Sequence, residues 1–306
     1  MGNVFRRSSG RGWRMRQRSM ELWQKWIAIL NTENTPLTLN KPLVQLADSE
    51  AEASIMERLI NNRKDLGLQR LRANAGIDAG RVWPINRYGG LISHKDGRIN
   101  PLQLQQCLLN ALDKLKVHKI CEKVIKLERG SSTKDRQWQI HLSDGKVLIQ
   151  EIIIICAPLG SEALLKDLGY NFPISPVLGQ VLDLQLKTDY ADWSDWPAVL
   201  CCEGVNLIPY KNNRILMGAT LEPGTKTSTQ ALEEMKSMNG KAPDWLKQAS
   251  IAEQWSGLRG RPSNNAAPIL KNLEPGLIIA TGHYRNGILL APASAEWVLK
   301  EVNQLN

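Results

Sequence analysis

Residues 276–300 have the sequence GLIIATGHYRNGILLAPASAEWVLK, in which an apolar run, a glycine-bounded turn and an amphipathic segment follow one another. Residues 277–280 form a fully apolar run of strand length, and residues 293–302 carry apolar side chains at helical spacing. Gly282 and Gly287 bound the turn and permit backbone conformations and close approaches that a side chain would forbid. The stretch therefore predicts a strand, a turn and a helix N-terminus with free N–H groups, an arrangement suited to a cofactor.

The turn also contains Arg285, a permanent cation whose planar donor fork suits a carboxylate or a phosphate. The string ATGHYRNGILLAPASA at residues 280–295 resembles the C-terminal flavin-binding motif of the FAD-dependent amino acid oxidases, in particular the glycine oxidase group. The plainer alternative is a buried strand–helix unit with a surface arginine. The resemblance implies that FAD is the cofactor, bound here by Gly282, His283, Tyr284, Arg285, Asn286, Gly287, Ile288 and Leu289.

The composition is that of a soluble globular protein, with 306 residues, 42% hydrophobic and 23% charged. The length suffices for two domains or one large α/β unit. The longest apolar run, residues 152–157, is far shorter than the ~18 residues of a membrane span. Five cysteines show no CxxC spacing and the four histidines are scattered, so we expect a reducing, cytoplasmic setting and no metal site.

The positive charge is concentrated at the start of the sequence. Residues 1–18 hold six arginines and no acid, so two thirds of the net charge of +9 is local. Trp13, Met20 and Trp23 recur at helical spacing, which predicts an amphipathic helix over residues 12–30 with a solvated basic face. The alternative is a targeting segment or a basic helix that binds nucleic acid or lipid.

The following region predicts a strand at residues 42–47, a helix at 49–66 and a second helical piece at 68–73. Residues 89–101, GGLISHKDGRINP, have turn signals at both ends and open a helix over 101–114 with proline at its start. A similar stretch in the amino acid oxidases precedes the helix that returns the chain to the nucleotide-binding domain.

Alternating and continuous apolar residues then predict a run of strands at 123–127, 137–142 and 147–157. This run resembles the β-unit that completes a Rossmann-type FAD domain. The resemblance implies FAD contacts at Val124 and Ala157. Pro158 stands where the family usually carries glycine, and proline removes an N–H and fixes the backbone.

The central block, residues 176–252, predicts strands and a helix at 228–238, and it resembles the antiparallel-sheet substrate domain of the family. The resemblance implies that Asn206 faces the substrate, where the glycine oxidases carry a tyrosine. Tyr210 likewise replaces a basic residue. The resemblance therefore does not imply that glycine itself is the substrate.

Residues 255–262, WSGLRGRP, resemble the family's W-x-G-x-R-P strand, whose arginine points at the substrate carboxylate. Arg259 takes the place of this arginine, and Arg261 is the other candidate for the contact with the carboxylate. For either arginine the alternative is a structural salt bridge. Two guanidinium groups, Arg259 and Arg285, on one cavity would hold an amino acid by its carboxylate.

The resemblance implies transfer of a hydride from Cα–H of an amino acid or small amine to the flavin. The imine would hydrolyse, and oxygen would reoxidise the flavin and yield hydrogen peroxide. The implied partners are this small substrate and oxygen, with no nucleic acid and no membrane. A homo-oligomer is one option for the assembly. Likeness to the glycine oxidases also suggests a supply of thiamine precursors.

The expected fold is mixed α/β, an incomplete Rossmann-type FAD-binding domain with an antiparallel-sheet substrate domain. We assign residues 1–30, 101–175 and 253–306 to the first domain, and residues 31–100 and 176–252 to the second.

The family begins with a strand, a G-x-G-x-x-G turn and a helix that hold the FAD pyrophosphate. The nearest candidate here, Gly10-Arg-Gly12, has no preceding strand, and Met15 occupies its third position. Either the native protein is longer, or this is a truncated, non-catalytic homologue that no longer binds FAD.

Overall fold

The computed structural model describes residues 2–32, 35–79, 82–130, 137–187, 193–210 and 213–305. Its helices are α1 Gly10–Leu30, α2 Glu50–Asn62, α3 Pro101–Lys114, α4 Ser161–Lys166, α5 Thr229–Ser237, α6 Asp244–Lys247 and α7 Gly287–Asn303. Short 3-10 turns occupy Lys64–Leu66 and Tyr284–Asn286. The strands are β1 Leu43–Leu46, β2 Leu68–Leu71, β3 Gly90–Ser93, β4 Val124–Arg129, β5 Trp138–Leu142, β6 Val147–Gln150, β7 Ile153–Ile155, β8 Ile174–Gln185, β9 Val199–Cys202, β10 Val205–Tyr210, β11 Arg214–Gly218, β12 Glu222–Pro223, β13 Ser250–Pro262, β14 Ile269–Glu274 and β15 Leu277–Thr281.

The chain divides into two compact units, each assembled from three segments. Unit 1 comprises Met1–Gln17, Ile27–Leu108 and Leu178–Gly257. Unit 2 comprises Arg18–Trp26, Leu109–Val177 and Leu258–Asn306. The division into an FAD-binding and a substrate domain stays a prediction, because no ligand marks either unit.

Unit 1 is built on a large mixed sheet with the strand order β12-β8-β11-β10-β9-β1-β3-β2, in which β13 also pairs with β8. β1 runs parallel to β9, whereas β10 is antiparallel to both β9 and β11. The inward side chains of β8, β10 and β11 are almost fully buried, among them Leu182, Leu184, Leu207, Ile215 and Met217. Burial on this scale contributes about 1.5–3 kcal/mol for each large aliphatic side chain.

Unit 2 contains two three-stranded sheets, ordered β14-β15-β7 and β4-β5-β6. β15 runs parallel to β7 and antiparallel to β14. Leu277, Ile278 and Ile279 of β15 have 0% exposure, as expected for a strand covered on both faces. Trp138 of β5 packs with Leu165 and with β15 in one hydrophobic cluster.

The helical piece predicted over residues 68–73 is wrong, because Leu68–Leu71 is strand β2 and pairs with β3. Leu68 and Leu71 are buried and the two residues between them are exposed. Two apolar residues three positions apart fit one face of a helix as well as the two ends of a short strand. The backbone partner in β3 decides between them, and the paired residues run from Leu68 with Ser93 to Leu71 with Gly90, far apart in the sequence.

The single strand predicted over residues 147–157 is two strands that belong to different sheets. β6 pairs with β5, whereas β7 pairs with β15. The break falls at Glu151 and Ile152, where a Cβ on Gly276 would lie 2.3 Å from the carbonyl oxygen of Glu151. Only glycine permits that close approach, so Gly276 fixes the point at which the chain changes sheets.

Helix α1 is amphipathic as predicted, with Trp13 and Trp23 buried. Arg16 departs from the predicted solvated basic face, because it is only 8% exposed. The guanidinium of Arg16 lies 3.7 Å from the ring centroid of Phe5 and donates to the Gly12 carbonyl at 3.0 Å. Burial lowers the pKa of Arg16. This arginine therefore packs as part of the helix's inner face.

Within the described ranges, no helix is long and apolar enough to cross a membrane. The same residues contain no group of three or more His, Cys, Asp and Glu side chains that could hold a metal ion.

Candidate functional site

The turn between β15 and α7 is shaped by Gly282. Its φ of +65° lies in the left-handed region, and a Cβ at this position would lie 2.7 Å from Pro262 Cγ. A residue other than glycine would have a strained backbone there, and its Cβ would also collide with Pro262. Gly282 thus lets β13 and the end of β15 approach closely.

Tyr284 is the second unusual residue of this turn, because it has a φ of +54° without being glycine. A bulky residue in this region is a backbone outlier that costs about 1–3 kcal/mol. Such outliers concentrate at functional sites, where the surrounding structure holds them in place. Tyr284 begins the 3-10 turn Tyr284–Asn286 and places its side chain on the wall of a cavity.

Helix α7 begins at Gly287, earlier than the predicted residue 293, and continues through Pro292. Proline cannot donate to the carbonyl four residues before it. Trp23 of α1 supplies the missing donor, since its Nε1 donates to the carbonyls of Ile288 and Leu289 at 3.1 Å each.

The next amide along the helix also bonds to α1. Ala293 N donates to Ser19 Oγ at 3.2 Å. Ser19 and Trp23 lie four residues apart and therefore share one face of α1. That face compensates for the interruption that Pro292 makes in α7.

His283 links the turn between β15 and α7 to Ser294 of α7 by a hydrogen bond. Its Nε2 lies 2.8 Å from Ser294 Oγ, and Ser294 is 5% exposed. Both residues line the cavity. The hydrogen bond therefore fixes the distance between the turn and the helix on the cavity's inner side.

The cavity lies entirely within unit 2 and has a volume of about 860 Å³, within the range of small-molecule and cofactor sites. Three walls enclose it: the end of β7 with the turn after it, the end of β13, and the β15–α7 segment. Its lining is mostly apolar and small, and includes Cys156, Pro158, Gly260, Ala291 and Ala295.

Arg259 brings a cation into this lining. Burial lowers its pKa, the neighbouring cation of Arg285 lowers it further, and Tyr284 acts in the opposite direction. Arginine remains protonated at any physiological pH. The surroundings therefore disfavour the positive charge of Arg259.

Arg261 lies beyond Arg259 on the same strand. Its guanidinium carbon is 5.8 Å from the centroid of the Tyr284 ring, over the face of the ring. Arg285 belongs to the 3-10 turn and is exposed. Arg259 lines the cavity, and Arg261 lies over the ring of Tyr284, which is another lining residue.

Four of the predicted cofactor residues line the cavity: Gly282, His283, Tyr284 and Gly287. Arg285, Asn286, Ile288 and Leu289 belong to the same turn and the first turn of α7. Ala157 lies between two cavity residues, Cys156 and Pro158. Val124 instead packs against the hydrophobic cluster around Leu277. The role of all these residues toward FAD stays a prediction.

Asn206 lies in unit 1, on β10 opposite Gly218 of β11 and Cys201 of β9. Its Oδ1 accepts a hydrogen bond from Cys201 Sγ at 3.0 Å. Burial raises the pKa of the Cys201 thiol to about 12, so this donor stays protonated near neutral pH. Whether Asn206 contacts a substrate remains a prediction.

Gln180 of β8 and Glu222 of β12 meet in a buried polar network of unit 1. Gln180 Nε2 donates to Glu222 Oε1 at 3.0 Å, Thr220 donates to the same oxygen, and the Ser228 amide donates to Oε2 at 2.5 Å. Burial raises the pKa of Glu222, but the hydrogen bonds from Thr220, Gln180 and Ser228 outweigh it and lower the pKa overall. This satisfied carboxylate has a structural role.

Sequence reasoning missed Cys156 and Ser294 as cavity residues. Cys156 directly follows β7, and burial raises the pKa of its thiol. Its position at the carboxyl end of a parallel strand was a usable signal, because ligands bind at those ends in open α/β sheets. Ser294 faces the cavity only because α7 starts earlier than the helical spacing indicated.

The chain matches the family model described as FAD dependent oxidoreductase over residues 2–300. It is 31% identical over 169 residues to a glycine oxidase of Pseudomonas putida, which covers 53% of this chain and 44% of the relative. It is also 33% identical over 127 residues to a "Bifunctional protein ThiO/ThiG" of Nostoc sp., covering 40% of this chain and 19% of that protein. The chain thus spans less than half the length of these relatives.

A solved structure of glycine oxidase from Geobacillus kaustophilus superposes with a TM-score of 0.83 at 21% identity, over 97% of this chain and 80% of that one. Similarity at this identity concerns the fold. It confirms the predicted mixed α/β class and the likeness to the glycine oxidase fold.

Proposed function

Because this chain belongs to the FAD-dependent oxidoreductase family, we propose that it is an FAD-dependent oxidase of a small amino acid or amine. The observation that carries the proposal is the unit 2 cavity, which the β15–α7 turn and Arg259 both line. The predicted flavin motif and the predicted carboxylate ligand are thereby neighbours.

The residues present fit a flavin. Gly282 gives the turn its left-handed backbone on the wall of the cavity, and the N–H groups at the start of α7 favour a negatively charged group. We infer that residues 282–289, together with Ala157, hold FAD. When bound, FAD supplies the acceptor for a hydride and its electrons.

Arg259 and Arg285 orient the substrate in this proposal. A guanidinium fork matches a carboxylate in two parallel hydrogen bonds. The carboxylate would relieve the unfavourable environment of Arg259, which burial and the neighbouring cation create. Held in this way, the substrate presents its Cα–H in a fixed orientation, which is the main contribution that the protein makes to the rate.

The later steps follow from the chemistry of amine oxidation. The imine product hydrolyses in water to a carbonyl compound and an amine or ammonia, and oxygen is the proposed final acceptor, yielding hydrogen peroxide. A supply of thiamine precursors is the proposed pathway, and the Nostoc relative supports it because its name joins ThiO to ThiG.

The experiment that tests this function is the visible absorption spectrum of the purified chain with added FAD. We expect a protein-bound flavin band that survives desalting and bleaches anaerobically when a small amino acid or N-methylated amino acid is added. A chain that never retains a flavin band would instead match the truncated, non-catalytic homologue.

Arg259→Met separates substrate binding from cofactor binding. This variant should keep the flavin band but raise KM by roughly 10- to 100-fold, since losing a hydrogen bond to a charged group costs about 1.5–3 kcal/mol. Lys300→Gln is the control, because it removes one positive charge from an exposed position of α7. An unchanged KM in Arg259→Met would contradict the assignment.

A further inference from the structure

β7 is an edge strand with one unpaired side. The sheet is ordered β14-β15-β7, so among the described residues no strand pairs with the far edge of β7. Ile153 N donates to the Gly276 carbonyl, on the β15 side, at 2.7 Å. Successive amides of a strand point to opposite edges, so the N–H of Ile154 points away from β15. An edge with this orientation can pair with a further strand.

β7 also lacks the cover that a parallel strand usually has. It runs parallel to β15, and parallel strands are normally buried on both faces. Ile153 and Ile155 are 9% and 4% exposed, whereas Ile154 between them is 42% exposed. Side chains alternate along a strand, and the face that carries Ile154 and Cys156 is the one that lines the unit 2 cavity.

Helix α7 lines the same cavity with an apolar stripe. The lining side chains of its second half are Ala295, Val298, Leu299 and Val302, all apolar and at helical spacing. Leu299 is 60% exposed. No described element therefore covers this part of the stripe, although such stripes normally pack against a neighbour.

The length of the cavity along α7 matches a strand. Its lining residues on this helix run from Gly287 to Val302, a distance of about 22 Å along a helix. A strand of five or six residues spans about 17–20 Å. The polar lining residues of this wall, His283, Tyr284 and Ser294, belong to the turn and the first half of α7. The apolar stripe offers only carbon atoms, which suit the side chains of a strand.

The described part of the chain has no free strand to fill this place. Each of the strands β1–β15 already belongs to one of three sheets. The first residues are held within unit 1, where Asn3 N donates to Asp96 Oδ2 at 3.1 Å and Arg63 Nη1 donates to the Phe5 carbonyl at 2.6 Å. A second copy of the chain would offer its own β7, whose three residues span only about 10 Å.

We propose that unit 2 binds an extended, apolar segment of a second polypeptide, which adds a strand to the free edge of β7. The side chains on one face of this segment pack against the apolar stripe of α7. In this mode of recognition, main-chain hydrogen bonds supply affinity and alternate side chains supply specificity. The inference goes beyond the proposed function, because it concerns the apolar part of the cavity and leaves the turn to FAD.

The test measures peptide binding to the purified protein by fluorescence anisotropy. The probe is a labelled peptide in which valines alternate with threonines between terminal lysines, so that only one face is apolar and the register is fixed. Two further peptides carry one N-methyl group each, on adjacent central amides. Adjacent amides point to opposite edges, so one methylated peptide should bind about tenfold more weakly or worse, and the other should bind like the probe.

Ile154→Lys places a charge on the free edge and should weaken binding of the probe by about tenfold or more. Ile149→Lys is the control, because it makes the same change at a 59% exposed position of β6, in the other sheet of unit 2, and should leave binding unchanged. Thermal melts verify that both variants fold.

Four results would overturn the proposal. The two methylated peptides bind equally, which indicates apolar adsorption without strand pairing. The two lysine variants have the same effect. Saturating FAD displaces the probe, so that the cofactor occupies the apolar part as well. Finally, sedimentation shows a dimer that Ile154→Lys dissociates, so that a second copy occupies the edge of β7.

Discussion

Gly282 bears two constraints, a left-handed φ and a close neighbour, and these can be separated experimentally. Gly282→Ala should destabilise the protein by about 1–2 kcal/mol for the backbone strain and by a further 1–3 kcal/mol for the contact with Pro262, 2.7 Å from the added Cβ. Urea denaturation measures the change.

Gly169→Ala is the matched control, because Gly169 has a φ of +86° and nothing within 4 Å of an added Cβ. Gly169→Ala should therefore lose only the stability that the strained backbone costs. If the two variants lose the same stability, the contact between Gly282 and Pro262 does not constrain the turn.

The Cys156 thiol reports on the cavity. Burial raises its pKa, so the thiolate fraction near neutral pH should be smaller than that of an ordinary cysteine, and reaction with a disulfide reagent should be slow. The rate should rise with pH and reach its plateau at a higher pH than for a free thiol. Added FAD should slow the reaction further by filling the cavity.

The reaction is measured by stopped-flow absorbance in a Cys121→Ser background, because Cys121 is the other exposed cysteine, while Cys107, Cys201 and Cys202 are buried. An ordinary pH profile that FAD does not affect would show that Cys156 lies outside the cofactor site.

At the scale of elements, α7 depends on α1. Pro292 removes a backbone donor from α7, and the Trp23 indole donates to the carbonyls of Ile288 and Leu289 at 3.1 Å. Trp23→Phe should therefore destabilise the protein by about 1–3 kcal/mol, the cost of a buried acceptor that loses its donor. It should also weaken FAD retention, because the start of α7 forms part of the cavity.

Trp26→Phe makes the same chemical change on the same helix, 5.9 Å from the Trp23 ring, and should cost less. Thermal unfolding with and without FAD compares the two variants. An equal loss in both would mean that the hydrogen bonds from Trp23 do not hold the start of α7.

For the whole molecule, local signals predicted some elements well. Helix α3 matches its predicted bounds, residues 101–114, because a proline at the first position and an apolar spacing of 3.6 residues act within the segment itself. β15 was likewise predictable, since a short, fully apolar run is buried wherever the chain places it.

Other features depend on contacts distant in sequence. The change of sheets inside residues 147–157 is fixed by Gly276, and the passage of α7 through Pro292 is stabilised by a tryptophan 265 residues before Ile288. The turn residues of the candidate site could be predicted from their motif. Cys156 could have been predicted from its place at the end of a parallel strand, whereas Ser294 could not, because it faces the cavity only through the early start of α7.

The location of the cofactor is a prediction about the entire chain, and amide hydrogen exchange with and without FAD tests it. At a free FAD concentration of 100 times Kd, bound ligand stabilises its site by about 2.7 kcal/mol, so amides that exchange only from the FAD-free state should slow by roughly 100-fold. The largest protection should fall on residues 154–160, 258–262 and 280–295, the three walls of the unit 2 cavity. Arg259→Met should leave this pattern intact, since its role is toward the substrate. Protection that spreads evenly over the chain, or that avoids residues 280–295, would place FAD elsewhere.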